Sequence, residues 1–185
     1  MTGQPGGRAP APPHLAPLQD LLNTVNLESG DDELGAGAFP AWSAARGVLD
    51  ASEGDRVRLS GFREDLRAWV ESRTDAVPPR VAAGIAAARL EVTVVDGRLE
   101  TTSASPFGRL VADVVEGVRV AQLDGGWSRL KVCQRGTCRW AFYDHSRNNV
   151  SRWCASSICG AREKSQRAYR RRVGPPGRED PPPGP

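Results

Sequence analysis

Cys133-Gln-Arg-Gly-Thr-Cys138, fifteen further residues, then Cys154-Ala-Ser-Ser-Ile-Cys159: these two pairs hold all four cysteines of the 185-residue chain. Each pair has four intervening residues, the wide end of the spacing used by structural zinc sites. Two close pairs joined by a longer connection can supply two edges of a tetrahedron, so Cys133, Cys138, Cys154 and Cys159 read as ligands of one structural Zn²⁺. Two disulfides would use the same four residues. That alternative belongs to an oxidising compartment, and residues 1–14 (MTGQPGGRAPAPPH) contain no apolar run of the signal-peptide kind. The expected location is therefore cytoplasmic, where thiolate–metal bonding is favoured.

The net charge of +3 conceals a split. From Arg129 to Arg172 there are twelve Lys or Arg against Asp144 and Glu163, a local +10; the remainder carries thirteen basic and twenty acidic residues, or −7. Such asymmetry predicts two modules with different partners, the basic one facing a polyanion. A Zn²⁺ held by four thiolates has a net charge of about −2, so neutralising it uses only part of the excess. No stretch of eighteen apolar residues is present, which predicts no membrane span.

Working outward from the cysteines, the preceding chain reads as one mainly helical domain over 15–125. Residues 1–14 have too few apolar groups to offset ordering entropy and read as a disordered tail. Leu15, Leu18, Leu21, Leu22 and Val25 predict an amphipathic helix. A glycine-rich acidic loop follows over 28–37. Residues 39–49 predict a short helix opened by Pro40, with Trp42, Ala45 and Leu49 buried. Asp55 is placed to cap a long helix to about Arg73, striped by Leu59, Phe62, Leu66, Trp69 and Val70. An alanine-rich helix is expected from Pro79 to Leu90. Val92 and Val94, the Asp96-Gly97 dipeptide and Leu99 predict a β-hairpin over 91–102. Ser105-Pro106 opens a last helix with Phe107, Leu110, Val111, Val114, Val115 and Val118 inward, stopped by Gly125-Gly126. Residues 174–185 read as a second disordered tail.

The domain over 126–173 carries the cysteines. Alternation in Arg139-Trp-Ala-Phe-Tyr-Asp144 predicts a strand, and Val150 to Trp153 predicts its partner across a turn at Asn148-Asn149. Residues after Cys154 predict a helix to about Arg172. The class is α+β: a mainly helical N-terminal domain with a hairpin, then a small treble-clef-like zinc finger with four cysteine ligands. At 100° per residue, Ala155, Ile158, Arg162, Gln166 and Tyr169 fall on the metal-facing half of the last helix. Lys164, Arg167 and Arg171 fall together on the other, suited to a phosphate backbone. Arg147 and Arg152 extend that footprint. Trp140 and Trp153 are expected over the zinc site, and Arg162 is expected to orient or compensate the thiolates. No phosphate-binding glycine loop, nucleophile elbow or histidine-based constellation occurs, since the histidines are His14 and His145. Catalysis is not expected, and no residue is assigned to it.

Cys133-x4-Cys138, Phe142-x-Asp144-x-Ser146-Arg147-Asn148, Ser151-Arg152-Trp153-Cys154 and Cys159-Gly160-x-Arg162 together resemble the CGNR zinc finger. That family carries an N-terminal ABATE domain and is described as a stress-induced transcription regulator. Leu21-Leu-Asn-Thr-Val25 and the pre-finger helices resemble that domain, so the resemblance spans roughly 15–172. It implies zinc on the four cysteines and DNA binding by the basic finger. The chain departs from the motif at Ala161, where the family has Asn. The expectation is thus a DNA-binding transcription regulator, nucleoid-associated, whose N-terminal domain senses a small-molecule effector or mediates self-association as a homodimer. RNA binding, or a protein-interaction adaptor with a purely structural finger, are the rival classes.

Overall fold

Periodicity in the sequence becomes six α-helices and two short antiparallel hairpins in the computed structural model, which describes residues 4–173. The expected tail over 174–185 and residues 1–3 lie outside the described residues. Helix α1 (Ala16–Leu22) buries Leu18, Leu21 and Leu22. Helix α2 (Phe39–Ala44) is shorter than expected. Gly47 at φ 74° turns the chain away after it, so Trp42 is buried while Ala45 and Leu49 are exposed and Val48 takes the core position.

Helix α3 (Glu53–Ser72) begins with a reciprocal capping box. The Ser52 hydroxyl accepts from the Asp55 N–H at 3.2 Å, and the Asp55 carboxylate accepts from the Ser52 N–H at 2.9 Å. Ser52 is thus the cap, with Asp55 its reciprocal partner three residues on. The stripe Leu59, Phe62, Leu66, Trp69 and Val70 is buried throughout. Helix α4 (Pro79–Ala88) leads into strands β1 (Glu91–Val95) and β2 (Arg98–Thr102). They pair with Val95 opposite Arg98, and both turn residues, Asp96 and Gly97, have positive φ, as a type I′ turn requires. This hairpin leaves Val92, Val94 and Leu99 exposed.

Helix α5 (Pro106–Asp124) is capped by Ser105 and ends at Gly125 with φ 78°. It packs against α1, α3 and α4. A Cβ at Gly117 would lie 1.9 Å from the His14 carbonyl oxygen, so a residue without one is needed where α5 meets the chain entering α1.

Strands β3 (Leu130–Val132) and β4 (Ala141–Tyr143) pair antiparallel, Lys131 opposite Phe142. The expected partner of β4, residues 150–153, forms no strand. That segment is drawn instead around a buried carboxylate described below. Alternation splits the β3–β4 hairpin: Leu130, Val132, Ala141 and Tyr143 join the helical core, whereas Phe142 packs among the cysteines. The core therefore runs across the expected boundary at 125/126.

Polar joints reinforce that continuity. The Asn23 amide donates to the Ala141 carbonyl at 2.9 Å and accepts from the Ala141 N–H at 2.7 Å. Thr24 accepts from Arg63 at 2.9 Å, and Arg63 also holds Asp32 at 2.7 Å. Buried Arg67 bonds the Leu22 carbonyl and donates to the Arg139 carbonyl at 2.8 Å. The Leu-Asn-Thr stretch thus stitches α1 to α3 and to the finger.

Residues 4–14 contradict the expectation of disorder. Arg8 donates to the carbonyls of Cys154 (2.8 Å), Trp153 (3.2 Å) and Tyr143 (3.3 Å), and its guanidinium lies 4.7 Å from the centre of the Phe142 ring. The Ala11 N–H donates to Gln19 at 2.9 Å, and His145 Nε2 bonds the Pro10 carbonyl at 2.9 Å. Polar anchoring to the finger and to α1, with only the small Ala11 side chain entering the core, orders this segment. Among the described residues, no helix is long and apolar enough to cross a membrane.

Candidate metal centre

Each cysteine reaches the site from a different local structure. Cys133 continues β3, its N–H donating to the Trp140 carbonyl at 2.9 Å. Cys138 closes the turn over 135–138 through a bond to the Arg135 carbonyl. Cys154 ends the long loop after β4, and Cys159 lies in a single wide turn (Ser156–Gly160) that runs into helix α6 (Ala161–Val173). The four Sγ atoms lie within 4.8 Å of one another. Cys154 Sγ is 3.7 Å from Cys138 Sγ and 3.6 Å from Cys159 Sγ. Those separations exceed a disulfide bond of about 2.05 Å, and all four cysteines are free. A tetrahedral Zn²⁺ with Zn–S of about 2.3 Å gives sulfur–sulfur edges of about 3.8 Å. The donor set fits one structural zinc ion. Four thiolates fill a tetrahedron and leave no position for a reacting water.

Thiols this close share protons when no ion separates them. Hydrogen bonds from Cys138 and then Cys154 hold the Cys133 thiol down at about 2. The same contact with Cys133 pushes Cys138 up to about 12, and contacts with Cys133 and Cys138 push Cys154 up as well. Zinc needs thiolates, so its binding must expel the protons that Cys138 and Cys154 retain at neutral pH. Affinity should therefore fall as pH falls, by about tenfold per unit for each proton displaced. Chelator competition at pH 6 and pH 7 measures this; equal affinities would contradict it.

Phe142 is buried among the sulfurs, and the half-buried Trp140 and Trp153 pack against that cluster. Gly160 belongs to this packing, since a Cβ there would press on Trp153 Cδ1 at 3.1 Å. Ala161, at the departure from the motif, is exposed.

The centrepiece of the loop between β4 and Cys154 is Asp144, which is fully buried. Its carboxylate accepts from Lys131 Nζ at 2.5 Å, from the Ser151 N–H and hydroxyl at 2.8 Å each, and from the Ser146 N–H at 3.0 Å. Lys131, also buried, donates further to the Asn149 carbonyl at 2.8 Å. Burial pushes the Asp144 carboxyl up, but the bonds from Lys131, Ser146 and Ser151 outweigh it and hold the group well below the usual range. The motif positions Asp144, Ser146 and Ser151 thereby fold the loop that delivers Cys154.

The expected arginine roles divide differently. Arg162 does not turn to the sulfurs: its Nη1 donates to Glu28, at 2.8 and 3.1 Å to the two carboxylate oxygens. Arg135 bonds the same carboxylate, and that bond first, with Cys159 as a further contributor, raises its pKa. Arg152 donates to Gln134 at 2.6 Å and lies over the Trp153 ring. Arg147 is exposed. On α6, Lys164, Arg167 and Arg171 are exposed, and Arg167 pairs with Glu163 at 3.3 Å. Arg162 and Gln166 do face the cysteine knuckle, but Tyr169 is 66% exposed because α6 extends beyond the finger that starts it.

Sequence reading missed Arg8, Glu28, Lys131 and Arg135. Lys131 stands opposite Phe142 and Asp144 follows β4 directly, a proximity that shows only once β3 is known to be the partner of β4. The others act across long sequence separations that periodicity does not report.

The CGNR zinc finger family model matches residues 129–172. Its limits enclose Lys131 and β3 as well as the four ligands. No curated protein matches the chain.

Proposed function

We propose that the chain is a DNA-binding transcription regulator in which zinc is structural and α6 contacts the phosphate backbone. The observation that carries this reading is the state of α6. No residue from Ala161 to Arg172 is buried, and its main packing is against the turn that carries Cys159. Among the described residues, no carboxylate pairs with Lys164, Arg170, Arg171 or Arg172. A helix polar all round gains little from burial, so its basic surface invites an external partner. Arg147 and Arg152 lie on the neighbouring loop and extend the basic surface. The order of strand, knuckle, strand and helix, with the second ligand pair at the helix start, supports a treble-clef-like description.

The helical body is read as an ABATE-type domain for sensing or association. The exposed Val92, Val94 and Leu99 on the β1–β2 hairpin favour association, with a homodimer the simplest form. A closed site of four thiolates supports a non-enzymatic role, and the reading places the protein in the cytoplasm at the nucleoid.

Replacing Lys164, Arg167 and Arg171 together by Ala should weaken duplex DNA binding and lower the log–log salt slope by about two to three. Unchanged affinity and slope would favour the adaptor role. Tighter binding of structured RNA than of duplex DNA at matched salt would shift the reading to RNA.

A further inference from the structure

Glu28 sits in the loop between α1 and α2, far in sequence from the finger, yet its carboxylate bridges two finger arginines. Arg135 comes from the first knuckle and Arg162 from the first turn of α6. The loop is held at both ends. Val25 and Asp32 form a β-bridge, Arg63 grips Asp32, and the Asn26 side chain accepts from the Glu28 N–H at 3.0 Å. Glu28 is thereby presented at the tip of an anchored loop, and its side chain remains 39% exposed.

Beside the bridge, a cleft of about 540 Å³ opens between the first knuckle and α6. Its lining includes Gln134, Arg135, Thr137, Arg162, Gln166 and Arg170. Glu163 also lines it, but that carboxylate is paired with Arg167. Three guanidiniums, two amides and a hydroxyl in a polar cleft are the donor set that binds phosphate, and arginine forks match phosphate and carboxylate oxygens alike. A carboxylate shared by two guanidiniums carries the single negative charge of a phosphodiester and presents two oxygens as it does.

We propose that Arg135 and Arg162 form a phosphate-binding site at this cleft and that Glu28 occupies it as an intramolecular competitor. The helical body thus masks part of the finger, and a nucleic-acid phosphodiester must displace Glu28 to engage both arginines. Only the bond pair at Glu28 changes on displacement; the anchored loop and the zinc cluster stay as they are. The identification of the ligand as a nucleic-acid backbone rests on the reading above. The anion site itself does not.

The test compares zinc-loaded wild-type protein with Glu28→Gln, which keeps size and removes charge. Inorganic phosphate is titrated at constant ionic strength while the arginine Nε–H resonances are followed. Arg135 and Arg162 should shift saturably in the variant at about one-tenth of the phosphate the wild type needs, and Arg162→Ala should abolish the response at Arg135. In a second arm, Glu28→Gln should bind duplex DNA about tenfold more tightly, with a salt slope steeper by about one to two. Identical phosphate titrations for the two proteins would overturn the proposal, whatever the DNA result. Phosphate behaviour as expected without DNA binding by either protein would leave the site standing and remove the DNA reading. Should Glu28→Gln lose zinc or melt early, Glu28→Ala read against the same phosphate titration decides the matter.

Discussion

Removing zinc, or replacing Cys154 by Ser, is expected to unfold the whole segment from Cys133 to α6 and to release residues 4–14 with it. Zinc modules of this kind draw about 10–16 kcal/mol from the metal. Around these sulfurs the apolar packing is limited to Phe142, Trp140 and Trp153. The carbonyls of Trp153 and Cys154 hold Arg8, so the strap is lost with the loop that presents them. The effect should reach the helical body, because Leu130, Val132, Ala141 and Tyr143 belong to its core. Hydrogen exchange before and after chelation measures this. Protection should vanish over 133–173 and 4–14 and weaken around Leu130 and Val132, while the central turns of α3 and α5 stay protected. Unchanged protection across the finger would mean that zinc does not hold it.

Asp144→Ala should be the most damaging substitution outside the ligands, at about 3–5 kcal/mol. It leaves the buried Lys131 ammonium without its counter-ion and removes the acceptor for three donors from Ser146 and Ser151. Pairing it with Lys131→Met should recover part of the loss, since the stranded charge goes and an apolar chain of similar length takes its place. Denaturant unfolding of the zinc-loaded proteins gives the numbers. A double variant no more stable than Asp144→Ala would show that the carboxylate acts through the loop bonds alone. The depressed carboxyl also fixes the sign with acid. Its stabilising contribution is complete above the ordinary aspartate pKa and is lost as pH falls through the lower folded value.

Local signals carried most of the secondary structure. The α3 and α5 stripes, the type I′ turn at Asp96-Gly97 and the Ser105 cap follow from periodicity and turn chemistry within a few residues of one another. The four ligands were legible for the same reason, as paired cysteines at fixed spacing. What escaped is carried by polar side chains reaching between distant segments. Strand pairing of β4 went to β3 instead of residues 150–153 because Asp144 collects the N–H and hydroxyl of Ser151. Residues 4–14 were misjudged because an apolar count gives no weight to one arginine satisfying three carbonyls. Arg162 was placed by helical geometry on the correct half of α6, but only the fold reveals that Glu28 waits there. At α2 the early halt came from Gly47, whose left-handed backbone turns Ala45 and Leu49 outward.

The central claim is that four sulfurs enclose one zinc ion and so give α6 its base. X-ray absorption at the zinc edge, with metal content measured on the same sample, tests it most directly. One zinc per chain with four sulfur neighbours at about 2.3 Å is the predicted result. A metal-free purified chain, cysteines joined as disulfides, or a zinc coordinated by nitrogen or oxygen would contradict it.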